Sequence, residues 1–351
     1  MPKGGKTVRL EDMNTPALSR SYIDLDTGCR QFVHGPSLLR EATTEVFAVS
    51  DKRRVLMELP KGVSAGQEIL ASRSHIDAPL GSGYLHRLGS EEREMLGQIQ
   101  SWDERFNQGK AWYLGRSGAT SRVVLFITDA QLSRIAEYTT SSLKLMPLRQ
   151  VGAFLVAEDA AIAAHAVCLS VWHSYMSFCS RCGASLTVDA GGWEMHCPDC
   201  AFISYPRQDP SIIVAIRDDS DRLLLAHNTA WSSDFYSIIA GYVEVGESPE
   251  GAVRRESAEE VGLEVDDIRY LTSQPWPYPR SLMLGFSARA RTPYFILDYT
   301  EIDRAMWVSR AEFKQLVAGK EISPPGTATI ASNLIEDWLG QTIVRPDTRY
   351  L

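Results

Sequence analysis

The chain has 351 residues, a length that suits two ordinary domains better than one. With 44% hydrophobic and 23% charged residues, 17 Pro and 25 Gly, it has a globular composition that excludes collagen-like and wholly disordered readings. A net charge of −8 argues against non-specific grip on nucleic-acid backbones, which depends on Lys and Arg releasing counterions.

Met1 to Lys6 is basic but has no apolar run behind it, so no secretory signal is expected. No stretch approaches the roughly 18 uninterrupted apolar residues of a membrane helix. In the first half, Val46–Val49, Ala111–Leu114 and Val123–Ile127 read as strands, separated by turn material at Gly81–Gly83 and Gly115–Gly118. Ser90 to Phe106 reads as a helix opened by a Ser N-cap. The half as a whole reads as mixed α/β, with no chemistry in view. From Leu148 to Ser177, Ala153, Val156, Ala160, Ala163, Ala164 and Val167 recur at helical spacing, predicting a packed helix that joins the two halves. His165 within it is expected to satisfy a local hydrogen bond rather than bind a ligand.

Six cysteines are too few for a disulfide framework. Cys29 and Cys168 stand alone and are expected to be small buried residues. The other four form two C-x-x-C pairs, Cys179/Cys182 and Cys197/Cys200, with fourteen residues between them. That pattern suits tetrahedral zinc in a ribbon, and four ligands leave no open position, so the site is structural. A redox dithiol needs a single C-x-x-C near a βαβ unit. His196, beside Cys197, reads as a bystander.

After this cluster, Ser211–Ile216 and Arg222–Ala226 read as a hairpin turning at Asp218–Asp221. The segment Gly241 to Leu263 then carries the chemistry. Ser248 is a suitable N-cap, Pro249 fits the first helical position and Gly262 sits where the helix should stop. Glu256, Glu259 and Glu260, at i, i+3 and i+4, share one face. Acidic faces are usually only solvated. Crowded carboxylates nevertheless repel unless a cation sits among them, and hard divalent ions with oxygen ligands, Mg²⁺ or Mn²⁺, are the natural partners. Glu247 and Arg255 stand ready to orient such ligands.

The segment matches the Nudix box, G-x5-E-x7-R-E-U-x-E-E-x-G-U, at Gly241, Glu247, Arg255, Glu256, Glu259, Glu260, Gly262 and Leu263. Ser257 departs from the aliphatic position and is expected to bond back to a carbonyl one turn earlier, at a small cost in stability. Downstream, Ser273-Gln274-Pro275-Trp276-Pro277-Tyr278-Pro279-Arg280-Ser281 resembles the SQPWPFPxS signature of NADH pyrophosphatases, with Tyr278 and Arg280 replacing the commoner Phe and Gln. Rigid, proline-spaced aromatics suit a wall against a base. The chain therefore resembles the zinc-ribbon NADH pyrophosphatase (NAD-capped RNA hydrolase) family of Nudix hydrolases, well over residues 148–340 and only in general plan before that.

The resemblance implies an α/β protein: an N-terminal mixed α/β (Nudix-like) domain over 1–147, a linking helix over 148–178, a zinc ribbon over 179–207, and a Nudix α/β/α sandwich over 208–351. It implies hydrolysis of NADH or NAD⁺ to nicotinamide mononucleotide and AMP, and removal of NAD caps from RNA. Catalytic roles fall on Arg255, Glu256, Glu259 and Glu260, with Glu301 as a further ligand of Mg²⁺ or Mn²⁺. Substrate contacts fall on Tyr205, Ile213, Tyr242, Gln274, Trp276, Tyr278, Ser281, Met283 and the backbone of Ala331. Some of these would come from a second subunit, implying a homodimer. Hydrolysis of ADP-ribose or dinucleoside polyphosphates is the alternative within the enzyme class, and a non-catalytic nucleotide sensor the alternative outside it. The cysteines favour the cytoplasm, no membrane partner is expected, and Arg349-Tyr350-Leu351 is not the usual peroxisomal address.

Overall fold

A computed structural model describes residues 15–33, 35–39, 41–58, 82–99, 111–139 and 143–345. Met1 to Lys6, Gly81, residues 100–106 of the expected first-half helix and the Arg349–Leu351 terminus lie outside these. Among the described residues no helix is long and apolar enough to cross a membrane.

The first half contains α1 (Gly35–Leu38), β1 (Thr44–Ser50), β2 (Arg54–Glu58), β3 (Tyr84–Leu85), α2 (Ser90–Ile99), β4 (Ala111–Ser117), β5 (Thr120–Ile127), α3 (Asp129–Thr139) and β6 (Leu143–Pro147). The strands form one sheet in the order β3-β2-β1-β5-β4, with β6 also on β2. Two details differ from expectation. Ser90 is the first residue of α2 rather than its cap: Glu92 reaches back to accept from the Gly89 amide at 2.7 Å, so the carboxylate supplies the cap. Gly115 and Arg116 continue β4 instead of turning, because Gly115, at φ 99°, lets the strand run hard against the backbone of Asp24 and Leu25.

A short α4 (Leu148–Val151) leads to α5 (Ala157–Tyr175). The expected helix is thus broken over 152–156, and Ala153 and Val156 precede α5 rather than lying within it. Alanines let this helix be buried on nearly every side, and it packs against β1, β3 and β4 of one half and the strand Val265–Trp276 of the other. His165 meets Trp193, at 6.1 Å between ring centroids, and among the described residues has no hydrogen-bond partner. Burial pushes its pKa down to about 4. Cys29 is exposed, contrary to expectation, whereas burial pushes the Cys168 thiol up to about 12.

Three short antiparallel strands follow, β7 (Thr187–Asp189), β8 (Glu194–His196) and β9 (Ile203–Ser204). The last part comprises β10 (Asp209–Arg217), β11 (Leu223–Asn228), β12 (Ile239–Tyr242), α6 (Pro249–Val261), β13 (Val265–Trp276), β14 (Ser281–Ala290), β15 (Ile302–Val308), α7 (Arg310–Ala318) and α8 (Ile330–Leu339). Its sheet runs β13-β14-β10-β11-β15, with β12 on β10. Alternate residues of β10 feed opposite faces. Ile212, Val214 and Ile216 pack with α6 through Ala252, Val253 and Val261; Ile213 and Ala215 pack with α7 and α8 through Phe313, Val317, Leu334 and Ile335. The result is an α/β/α sandwich.

The two sheets share a plan that the sequence did not reveal as a repeat. In each, a parallel pair (β1/β5, β10/β14) is flanked by an antiparallel hairpin partner (β2, β11), an antiparallel outer strand (β4, β13) and a late strand on the hairpin (β6, β15). In this plan α2 corresponds to α6. If Arg93-Glu94 is matched to Arg255-Glu256, Gly97 and Gln98 stand where Glu259 and Glu260 do. At these matched positions the sequence of α2 has no counterpart of Glu259 and Glu260.

Candidate active site

The local sequence builds α6 as expected. Ser248 Oγ accepts from the Gly251 amide, Pro249 opens the helix, and Gly262 closes it at φ 65°. Gly241, on the neighbouring β12, owes its identity to close approach rather than to backbone freedom. A Cβ there would overlap the Glu256 carboxyl, with Oε2 at 2.5 Å and Cδ and Oε1 nearer still.

The three helix glutamates are not equivalent. Glu259 is exposed, Glu256 half-buried and Glu260 buried. Arg255 organises them. Its Nε and Nη2 donate to the two carboxylate oxygens of Glu247 at 3.0 and 2.9 Å, and its Nη1 donates to Glu256 Oε1 and Glu259 Oε2 at 2.8 and 2.9 Å. Nη2 also donates to the Tyr242 carbonyl at 2.7 Å, tying the helix to β12. This bidentate fork holds Glu247 below its ordinary pKa. Burial, then the fields of Glu256, Glu301, Glu259 and Asp298, pushes Glu260 up to about 8. Glu256 is likewise raised, by burial first and by Glu259 and Glu301 besides, against the pull of Arg255. Glu301, just before β15, thus belongs to the same acidic field. A buried carboxyl ringed by acids fits a hard divalent cation, which oxygen donors of this kind would hold. Ser257 is fully buried and donates to the Val253 carbonyl at 2.6 Å, the bond back expected of it.

Strand register gathers a second group on the α8 face. Tyr242 pairs with Ser211, Ser211 with Met283, and Met283 with Gln274, so these four form one row across β12, β10, β14 and β13. The next row toward the strand ends holds Asp209, Ser281 and Trp276. On the other side, Ile213 joins the apolar cluster under α8, where Ala331 is also buried. Gln274 Nε2 donates to the Ala328 carbonyl at 2.7 Å, just ahead of α8.

The proline-spaced wall is braced by the first half. Trp276 packs against that half's core, 5.0 Å from the Tyr278 ring. The Tyr278 hydroxyl accepts from the Arg149 amide at 3.0 Å, and the Arg53 and Arg149 guanidinium carbons lie 5.7 and 5.9 Å from its ring centroid. Arg53 also donates to the Pro277 carbonyl, and Ser19 to the Ser273 carbonyl. Arg280 donates to Asp209 at 2.7 Å, and Arg207 takes the other oxygen of that carboxylate at 2.6 Å. Tyr205, exposed just beyond β9, lies outside both rows.

The four cysteine sulfurs lie within 4.8 Å of one another, with Cys179–Cys200 at 3.7 Å and Cys182–Cys197 at 3.4 Å. Sulfurs around tetrahedral zinc are about 3.8 Å apart, from Zn–S bonds of about 2.3 Å, so the quartet fits that ion. The knuckles mirror each other: Gly183 and Ala201, both at positive φ, donate back to Cys179 and Cys197. His196 is held by Glu194 at 2.8 Å and takes no part.

The NUDIX domain family matches residues 207–327, and the NADH pyrophosphatase zinc ribbon domain matches 177–205. An NAD-capped RNA hydrolase NudC of Mycobacterium bovis (strain BCG / Pasteur 1173P2) is 38% identical over 238 residues, covering 65% of this chain and 75% of the relative. The chain belongs to the zinc-ribbon NADH pyrophosphatase family of Nudix hydrolases. Nudix hydrolase 19, chloroplastic, of Arabidopsis thaliana is 41% identical over 172 residues, or 47% of this chain and 39% of that one. A Nudix hydrolase structure from Nitrosomonas europaea aligns at a TM-score of 0.36 and 24% identity, covering 49% of this chain and 97% of that one.

As a Nudix hydrolase the chain is an enzyme with a structural zinc site and a need for a divalent metal. Sequence reading overlooked Ser211 and Asp209 of the Nudix sheet. Ser211 is the polar member of the otherwise apolar Ser211–Ile216 run, and that exception was the available signal.

Proposed function

We propose that the chain hydrolyses the pyrophosphate bond of NADH and NAD⁺ to nicotinamide mononucleotide and AMP, and that the same pocket removes NAD caps from RNA 5′ ends. The observation that carries this is the juxtaposition at the end of β12. Gly241 abuts Glu256 on one face of the sheet, while the next residue, Tyr242, heads the pocket row on the other. A base held beside Tyr242 therefore brings its phosphates over the sheet edge to the glutamates.

Glu256, Glu259, Glu260 and Glu301 would hold Mg²⁺ or Mn²⁺, which neutralises charge on a phosphoryl oxygen and lowers the pKa of the attacking water. Arg255, fixed by Glu247, keeps Glu256 and Glu259 aimed. Glu259 or Glu260 orients the water in line with the leaving phosphate. Tyr242 stacks on the base; Gln274, Ser281, Met283, Ile213 and the Ala331 backbone shape its pocket, with Trp276 and Tyr278 as the wall behind. The exposed Tyr205 suits a contact supplied by a second subunit, and the working unit is a homodimer.

Glu260→Gln tests the metal assignment. Turnover of NADH should fall by at least about 10²-fold, the scale of losing one preorganised charge at a reacting centre. Unchanged turnover with unchanged metal dependence would remove Glu260 from the site.

A further inference from the structure

The strand pair that delivers Glu301 to the acidic field is irregular beside that residue. From Leu223 opposite Val308 to His227 opposite Arg304 the β11–β15 ladder is regular, but Asn228 then faces Ile302, which leaves Asp303 as the extra residue of a bulge. A side-chain clamp sits on that bulge. His227, 3% exposed, is hydrogen-bonded through Nδ1 to Asp303 Oδ1 at 2.6 Å, and its Nε2 donates to the Ser232 carbonyl at 3.0 Å. Trp231 and Tyr236 pack around the ring, with centroids at 6.4 and 5.6 Å. Just beyond the bulge, the Thr229 amide donates to the Glu301 carbonyl at 2.8 Å. The Glu301 amide donates to the Asp298 carbonyl, and the Asp298 amide to the Glu260 carbonyl. Glu301 is therefore hung between the end of β11 and the last turn of α6.

We propose that His227 and Asp303 are positioning residues: their clamp fixes the bulge that sets Glu301 in register with the helix glutamates. This assignment rests on the reading of Glu301 as a metal ligand and deepens it. Without the bulge, regular pairing would set Asn228 opposite Asp303 and Thr229 opposite Ile302. Glu301 would then move one residue along the ladder, about 3.3 Å, and a one-residue slip turns a strand side chain to the opposite face. The Thr229–Glu301 bond alone does not prevent this, since every residue but proline offers the same amide and carbonyl. The side-chain pair supplies the discrimination, because it joins two residues that backbone pairing leaves unmatched. Among the described residues neither side chain is bonded to a glutamate, so the pair acts through the backbone of β15.

The test is Mn²⁺ binding to the zinc-loaded full-length chain without substrate, followed by the electron paramagnetic resonance of free Mn²⁺. The variants are Asp303→Ala, Asp303→Asn, His227→Gln, Glu301→Gln and the double variant His227→Gln/Glu301→Gln. Removing a group that orients a metal ligand costs about 10- to 100-fold in metal affinity. Asp303→Ala and His227→Gln should therefore each raise the Mn²⁺ Kd by at least about 10-fold, as should Glu301→Gln. The double variant should match Glu301→Gln within about 2-fold, because the clamp acts only through that residue. Asp303→Asn, whose amide can bond the ring in either sense, should stay within about 3-fold of wild type, whereas a plain charge contribution would make it as weak as Asp303→Ala. The Asp303 side chain is 40% exposed, so its truncation should leave the fold intact even where His227→Gln lowers the melting temperature. If Glu301→Gln weakens binding and the clamp variants do not, the clamp alone fails. A loss that adds to that of Glu301→Gln, or that Asp303→Asn shares in full, overturns it too. If Glu301→Gln leaves Mn²⁺ affinity unchanged, the metal reading of Glu301 fails and the clamp with it.

Discussion

Gly241→Ala isolates the steric logic of the site. Gly241 is not among the residues at positive φ, so alanine can adopt its backbone and the whole effect comes from one methyl group. That methyl would lie 2.5 Å from Glu256 Oε2, and closer to Cδ and Oε1, where ordinary contact begins at 3.4 Å. The carboxylate must therefore retreat by at least about 1 Å, and a misplacement of that size costs about 10²-fold in rate. Arg255, which bonds Glu256 and Glu259 through the same nitrogen, would carry the disturbance to Glu259. Overpacking of this kind costs about 1–3 kcal/mol of stability, so the variant should fold and melt somewhat earlier. Steady-state hydrolysis of NADH at saturating metal should show kcat/KM reduced about 100-fold. Activity within about threefold of wild type would refute the claim that Glu256 must sit where Gly241 leaves room for it.

Arg255→Lys keeps the charge but cannot reproduce the five hydrogen bonds of the fork, so kcat/KM should fall at least about tenfold with the circular-dichroism spectrum unchanged. Ser257→Ala removes a hydroxyl that only bonds back along its own helix; stability should change by less than about 1 kcal/mol in urea melts and turnover should hold. In the first half, burial would raise the pKa of Glu92, but bonds from Thr139, the Gly89 amide and His86 outweigh it and hold it below the ordinary 4.5. A depressed carboxylate stabilises above its unfolded pKa and loses that contribution as pH falls through the folded one. Glu92→Gln should accordingly lower stability at pH 7 and by progressively less as the pH is taken below 4.5, by denaturant melts across that range. Cys182→Ser should lower bound zinc below one ion per chain by atomic absorption and destabilise residues 177–205 toward limited proteolysis.

The site was legible in the sequence where chemistry imposes fixed spacing. The cysteine knuckles and the box from Gly241 to Leu263 declare themselves because sulfur geometry and a helix face leave few alternatives. Even the departure at Ser257 was readable, since a serine in a helix has a known local bond to make. What strand register brings together was not legible. Tyr242, Ser211, Met283 and Gln274 come from four strands, and only the ladder shows that they share a row. Nor could composition reveal that the first half repeats the plan of the second, because sheet topology survives when few residues are shared. The role of that half in bracing Tyr278 through Arg53 and Arg149 likewise depends on contacts between segments far apart in the chain. The Ser90 cap failed for a local reason: Glu92 performs the task from inside the helix.

The most direct test is product analysis after incubating the purified chain with NADH, NAD⁺, ADP-ribose and NAD-capped RNA, with and without Mg²⁺ or Mn²⁺. Metal-dependent release of AMP and reduced nicotinamide mononucleotide from NADH, and of nicotinamide mononucleotide from capped RNA, is the expected result. Cleavage of ADP-ribose alone, or no cleavage of any of the four with either metal, would contradict it.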